Sequence, residues 1–307
     1  MWASRTRELL IGMGRYGKQS RRVRIWVSLV VLILVLLVLQ TVWPERSPMP
    51  KLVGPFGPGT IIAVFLAALL CEYVDSSLGM GYGTTLTPLL LLAGFEPLQI
   101  VPAVLLSEFV TGVSAGLLHH RDGNVDFVND RQARWTAILL SMLSVVGALV
   151  AVTVAIAIPK FWLTLIIASI ICSVGAMIVL TSRRQLAYRK GHIVALGAVA
   201  AFNKGLSGGG YGPLVTGGQV VSGMPPKHAV AITSLTEALT CCVGLIAYIM
   251  LSGSLDWGLA IPLTLGALLS VPMATLTVRK LPEKVIRGSV GLVTCALGLL
   301  TFVKLFT

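Results

Sequence analysis

Apolar residues in this chain fall in long uncharged blocks separated by Pro, Gly and charge. The blocks are 25–43, 58–78, 84–95, 98–120, 135–158, 161–181, 193–206, 211–223, 228–251, 257–278 and 287–305. Most reach the roughly 20 residues that a helix needs to cross a bilayer. The strict polar–apolar alternation of an outer-membrane barrel is missing. The pattern predicts an all-α integral membrane protein. Blocks 84–95, 193–206 and 211–223 are short and lie beside glycine clusters. Short, Gly-interrupted segments at matching places in two halves point to broken helices around a transport site. Periodicity alone does not say whether they cross the membrane or turn back.

Composition agrees. Of 307 residues 55% are hydrophobic and 12% charged, with mean hydropathy +0.88. A soluble domain carries about 25% charged residues, so a soluble enzyme and a disordered chain are both excluded. The net charge is +12. Half of it lies in residues 1–24, where Arg5, Arg7, Arg15, Lys18, Arg21, Arg22 and Arg24 face one acid, Glu8. A basic arm directly before an apolar block sets topology and touches anionic lipid rather than nucleic acid. Block 25–43 is longer than a usual signal-peptide core and is followed by no A-x-A-like site, so it is expected as an uncleaved extra helix. Further basic loops (Arg121, Arg131 and Arg134; Arg183, Arg184, Arg189 and Lys190; Arg279, Lys280, Lys284 and Arg287) fall on the same side as the arm. The N-terminus is therefore cytoplasmic, in a multi-pass inner-membrane protein.

Sliding the chain by 129 residues aligns Gly79–Gly112 with Gly208–Cys241 without a gap, with 11 of 34 positions identical. The matches include Gly79/Gly208, Gly81/Gly210, Tyr82/Tyr211, Gly83/Gly212, Thr87/Thr216, Pro97/Pro226 and Glu108/Glu237. Apolar composition would match Leu and Val, not these. The first copy enters from outside and the second from the cytoplasm, so inverted repeats at 58–190 and 191–307 are expected.

Each copy carries a GxGYG turn. Glycines let the backbone leave the helix, and the N–H groups opening the next helix point toward an anion. The candidate substrate site is Ser76, Ser77, Gly79, Gly81, Tyr82, Gly83, Thr84 and Thr85 from the first turn. The second supplies Asn203, Lys204, Ser207, Gly208, Gly209, Gly210, Tyr211 and Gly212. Hydroxyls and amides complete an oxyanion site without adding charge. Close packing of small residues is the other use of such glycines. A potassium-channel filter also contains GYG, but two oppositely oriented turns cannot form one ring.

Charges at membrane depth each cost at least about 2.5 kcal/mol and need a partner or a task. Glu72, Asp75, Glu108 and Glu237 are candidates for ion coupling or for a charge network. Asp75 and Lys204 are equivalent in the repeat, so they either face each other as a pair or Lys204 holds the anion while Asp75 tunes it. Glu108 and Glu237 can carry protons, or sodium, or can be static struts between the repeats. His119 and His120 before Arg121 read as capping at a helix end. Trp26, Trp43, Trp135, Trp162 and Trp257 fall near block ends, as in an aromatic belt. Cys71, Cys172, Cys241, Cys242 and Cys295 lack metal-site spacing, so no metal and no disulfide framework are expected. HExxH and Walker motifs are absent, which implies no enzyme, no cofactor and, for any transport, a secondary mechanism.

SSLGMGYGTTLTPLLLLAGF and GLSGGGYGPLVTGGQVVSG, with the segments PLQIVPAVLLSEFVTG and PPKHAVAITSLTEALT that follow, resemble the sulfite exporter TauE/SafE family of membrane transporters. The resemblance spans roughly residues 58–305 and reaches the glycines, Pro88, Pro213 and the nearby hydroxyls. It implies movement of a small sulfur-containing anion, sulfite or an organosulfonate, across the cytoplasmic membrane. Tyr82, Tyr211, Asp75 and Lys204 depart from the family pattern and leave another oxyanion or an organic acid open as substrate. A homo-oligomer, and a membrane sensor or assembly protein whose repeat serves packing alone, also remain open.

Overall fold

The computed structural model describes residues 56–181, 190–221, 224–252 and 255–277, with isolated positions beyond them. The basic arm, block 25–43 except Leu32 and Val35, the loop at 183–189 and the basic residues at 279–287 lie outside the described residues. Those described are helical and contain no strand. In chain order the helices are α1 (Pro58–Leu78), α2 (Tyr82–Leu92), α3 (Pro97–Arg121), α4 (Arg131–Ala157), α5 (Lys160–Thr181), α6 (Lys190–Ser207), α7 (Tyr211–Val221), α8 (Pro226–Ser252) and α9 (Trp257–Thr277). Five, namely α1, α3, α4, α8 and α9, contain spans long and apolar enough to cross a membrane.

Local chemistry sets their ends. Pro58 and Pro97 occupy first-turn positions, where the missing N–H leaves no bond unmade. Glu96 and Gln99 form a capping box on α3, and the Asp130 carboxylate accepts the N–H groups of Gln132 and Ala133 to open α4. That cap is why α4 begins four residues before the apolar block at 135. Gly79 ends α1 at φ 69° and donates its N–H to the Asp75 carbonyl, 2.6 Å away. Gly208 does the same at φ 72°, on the Lys204 carbonyl at 2.8 Å. Both positions need left-handed backbone, which a side chain resists.

The short helices turn back. The Phe56 and Phe95 rings meet at 5.1 Å, so the end of α2 returns to the start of α1. A cleft of about 640 Å³ lies between these two arms, lined by Thr60, Val64, Leu86, Leu90 and Gln99 among others. The bundle end that holds this hairpin mouth also joins α3, α5 and the start of α9. There Lys160 pairs with Glu96 at 2.5 Å, and the Gln99 amide donates to Asp256 at 3.2 Å. The opposite end joins His228 to Asp130 at 3.4 Å and packs Met224 in one core with Val125 and Ala133. Helix α6 starts toward this second end and runs alongside α4, Gly197 against Leu140 and Gly205 against Ala148 and Ala151.

Helix pairing is reciprocal under the 129-residue shift. Helix α9 packs on α1 as α4 packs on α6, α9 on α3 as α4 on α8, and α3 packs on α8. Glycines sit at the closest approaches: Gly266 against Phe65, Gly147 against Ala201, Gly112 against Ala238. Small residues let helix backbones approach where lipid provides no hydrophobic drive. The exterior is apolar, with Leu70, Met142, Val146 and Met250 exposed. The interior holds Glu72, Asp75, Glu108, Lys204 and Glu237. Trp135, Trp162 and Trp257 are exposed at helix starts, the belt position expected of them.

Candidate functional site

The two GxGYG turns touch. A Cβ on Gly83 would collide with the Gly208 carbonyl oxygen, and one on Gly212 with the Gly79 carbonyl oxygen. Gly209 lies over Gly83 so closely that a Cβ would fall 2.6 Å from the Gly83 carbonyl carbon. Equivalent hydroxyls tie the turns together. Thr87 Oγ1 donates to the Ser207 carbonyl at 3.0 Å, and Thr216 Oγ1 to the Gly79 carbonyl at 2.8 Å. Thr216 also bonds the Thr233 hydroxyl at 2.8 Å. Gly81 and Gly210, both at positive φ, complete the turns. At these glycines the backbone of one turn lies directly against the backbone of the other.

Replacing Thr216 with Val keeps the shape but strips the Gly79 carbonyl of its partner. We expect the melting temperature in detergent to fall by the equivalent of about 1–3 kcal/mol. An unchanged melting temperature would show that this hydroxyl does not hold the turns together.

The charges gather beside the crossing. Lys204 is fully buried and reaches from α6 to Glu108 on α3 and to Glu237 on α8, with Nζ 2.7 Å from Glu237 Oε1. Its second ion pair is with Glu108 Oε2, which also accepts the Cys241 thiol at 3.7 Å. Glu108 Oε1 accepts the Gly83 N–H at 3.2 Å. Asp75 is not the ion-pair partner of Lys204; its Oδ1 accepts the Tyr82 N–H at 3.3 Å. The N-terminus of α2 therefore already has two carboxyl groups on it, both supplied by the protein. Glu72 accepts the Ser76 hydroxyl at 2.6 Å on Oε1, while Oε2 has no partner among the described residues.

Among the remaining predicted residues, the Tyr82 hydroxyl bonds Ser107 at 2.7 Å and the Tyr211 hydroxyl bonds Ser144 at 3.2 Å. Ser207 Oγ meets Asn203 Oδ1 at 3.2 Å and accepts the Gly209 N–H. Ser77 and Thr84 are buried with hydroxyls that bond nothing among the described residues, and Thr85 is half-buried, its N–H on the Gly81 carbonyl. Ser144 and Thr233 carry no signal in the sequence, Ser107 stands there only as the hydroxyl before Glu108, and His119 reads as a helix-end cap. The two serines and Thr233 stand on long apolar helices, where only the fold brings them to a turn. His119 had a signal, an ionisable side chain in a predicted span, but the neighbouring Arg121 drew it to the membrane surface.

No solved structure matches the chain. A curated relative, the probable membrane transporter protein YtnM of Bacillus subtilis (strain 168), is 26% identical over 243 residues, covering 75% of this chain and 79% of that protein. The family model for sulfite exporter TauE/SafE matches residues 64–301, a stretch holding both glycine turns, all five buried charges and every helix from α2 to α9. The chain belongs to the sulfite exporter TauE/SafE family of membrane transporters.

Proposed function

We propose that the protein is a secondary transporter of a small sulfur-containing anion, sulfite or an organosulfonate, exported across the inner membrane with coupling to protons or sodium. It is built as two inverted repeats, 58–190 and 191–307, whose broken helices cross at the glycine turns; the reciprocal helix pairing supports this. The observation that carries the reading is the buried charge cluster at that crossing, where Asp75 and Glu108 occupy backbone N–H groups suited to a substrate oxygen.

Four carboxyls and one ammonium are buried together in the interior, and the ammonium of Lys204 pairs with two of them, Glu108 and Glu237. Fully ionised, that cluster would carry net negative charge at membrane depth and repel an incoming anion. Cations must compensate it, and protons on Glu108 or Asp75 would at the same moment release the Gly83 or Tyr82 N–H. Substrate and proton are then linked, each raising affinity for the other. Ser77 and Thr84 offer further donors, and Lys204 keeps one positive charge in place. The basic arm meets anionic lipid on the cytoplasmic side.

Thermal stabilisation of the detergent-purified protein by sulfite, sulfate, thiosulfate, sulfoacetate, acetate and phosphate tests this at two pH values. A ligand at 100 times its Kd adds about 2.7 kcal/mol. The expected result is a shift selective for sulfite or sulfoacetate, larger at the lower pH and weaker in Ser77→Ala and Thr84→Ala. A shift restricted to acetate or phosphate, or none with any sulfur anion, would overturn the substrate assignment.

A further inference from the structure

Two contacts at opposite ends of the bundle are built alike. At the hairpin-mouth end Asp256 is the residue before α9, and its Oδ1 accepts the Leu259 N–H at 3.2 Å. Its Oδ2 accepts the Gln99 amide, from the first turn of α3, at 3.2 Å. At the other end Asp130 is the residue before α4, and its Oδ1 accepts the Gln132 and Ala133 N–H groups at 2.9 and 3.1 Å. Its Oδ2 faces Nδ1 of His228, in the first turn of α8, at 3.4 Å. Gln99 and His228 stand 129 residues apart, the spacing of the repeat. At each end, then, one carboxylate caps one helix and ties it to a second. The partners differ in one property: an amide stays neutral, whereas an imidazole gains a charge with its proton. Of the His228 side chain 34% is exposed, and of the Asp130 side chain 28%, so protons from water reach the pair.

Other ionisable groups on the surrounding elements are engaged elsewhere, exposed or deep. On α8 Lys227 is exposed, and Glu237 lies nine residues further on, about 13.5 Å along the helix. On α4 Arg131 is exposed, and Arg134 donates to the Val128 carbonyl at 2.9 Å. Around the end of α3 Arg121 pairs with Asp122, Asp126 accepts the Asn129 amide, His120 accepts the Phe127 N–H, and His119 is buried against Asn124 at 3.0 Å. Lys190 and His192 stand in the first turn of α6, and α7 carries no charged residue. Glu72, Asp75, Glu108 and Lys204 belong to the buried cluster.

We propose that the His228–Asp130 contact is a proton-operated clamp on the cytoplasmic end of the bundle, and Gln99–Asp256 its pH-independent counterpart at the outer end. This rests on the transport reading above, in which the repeats are inverted and the two ends face opposite sides of the membrane. With its proton, the imidazole is a cation held against a carboxylate, and the start of α4 stays on the start of α8. A helix N-terminus disfavours a cation, and the Asp130 carboxylate offsets that. Without the proton the attraction between charges is gone, and this end opens more readily. Acid therefore favours closure, and the gain is lost as pH rises through the histidine range, about 5 to 8. The proton returns to the water it came from, so the clamp regulates opening and does not itself couple transport to a gradient. An acid cytoplasm holds the inner end shut while the outer end is untouched.

Hydrogen exchange of the full chain in lipid nanodiscs tests this without a substrate. It is measured on the acid and alkaline sides of the histidine range and corrected for the intrinsic effect of pH on amide exchange. The first turns of α4 and α8 are expected to be about two- to fivefold better protected in acid, the scale of a partly exposed ion pair. The first turns of α3 and α9 should show no such difference. His228→Gln copies the outer end and should abolish the difference, as should Asp130→Asn, which keeps a good helix cap. His192→Gln should leave it in place. Equal wild-type protection on both sides of the range overturns the clamp, and so does a difference that survives in His228→Gln or Asp130→Asn. Counterflow of sulfoacetate in liposomes gives the functional arm. In acid the wild type should run about two- to fivefold slower than His228→Gln, with equal rates in alkali; equal rates at both overturn the regulatory role. A wild type that moves no sulfoacetate and no sulfite defeats the transport reading, and hydrogen exchange then decides the clamp alone.

Discussion

Gly83→Ala is expected to yield little or no folded protein, and Gly212→Ala the same. Alanine is the better helix former by about 1 kcal/mol, so propensity alone predicts a gain at these first-turn positions. Space decides the other way. The added Cβ meets the carbonyl of Gly208 or Gly79, which is backbone and cannot swing aside as a side chain would. Ordinary overpacking costs about 1–3 kcal/mol where side chains can shift. Here two helix hairpins must separate, and the loss should exceed that range. Gly59 gives the control, with nothing within 4 Å of its Cβ position, and Gly59→Ala should fold normally. Yield and melting temperature in detergent decide it. Gly83→Ala that purifies and melts like the parent would show that the hairpins are not in contact.

Removing Lys204 should be nearly as severe, for a different reason. Lys204→Met is close to isosteric but leaves Glu108 and Glu237 facing each other without their cation. Breaking one side of a buried ion pair costs about 3–5 kcal/mol, most of it from the charge left behind. The expected result is a large drop in melting temperature and no transport. Adding Glu108→Gln and Glu237→Gln removes the orphaned charges, and stability should return while transport does not. A triple variant that still transports would show the three residues to be struts, and a Lys204→Met protein as stable as the parent would mean that the ion pairs do not form.

Much of this architecture was legible in the sequence because glycine, proline and charge are scarce in membrane helices. The match of Gly79, Gly83 and Glu108 with Gly208, Gly212 and Glu237 located both turns and the carboxyls beside them. What could not be read was who faces whom. Equivalence in the repeat pairs Asp75 with Lys204 only if both lie against the symmetry axis. The lysine is long enough to reach α3 and α8 instead, and Asp75 is held by the N-terminus of its own neighbouring helix. Whether the short blocks cross or return depends on a contact such as Phe56 with Phe95, which leaves no trace in hydropathy. His119 looked like a surface residue because the chain emerges two positions later. The loop beyond Arg121 folds Asn124 back over it.

The contact between the turns also limits how the protein can open. A gate needs a part that moves aside, usually a side chain with rotamers to choose from. At the crossing, glycine meets carbonyl, and the side chains that reach it, Thr87 and Thr216, bind the two turns to each other rather than stand between them. The seam is a fixed septum, and access to either face of it has to come from the layers on its two sides. If the protein opens as a transporter must, the parts free to move are those flanking the glycines, among them the two arms of the Phe56–Phe95 cleft.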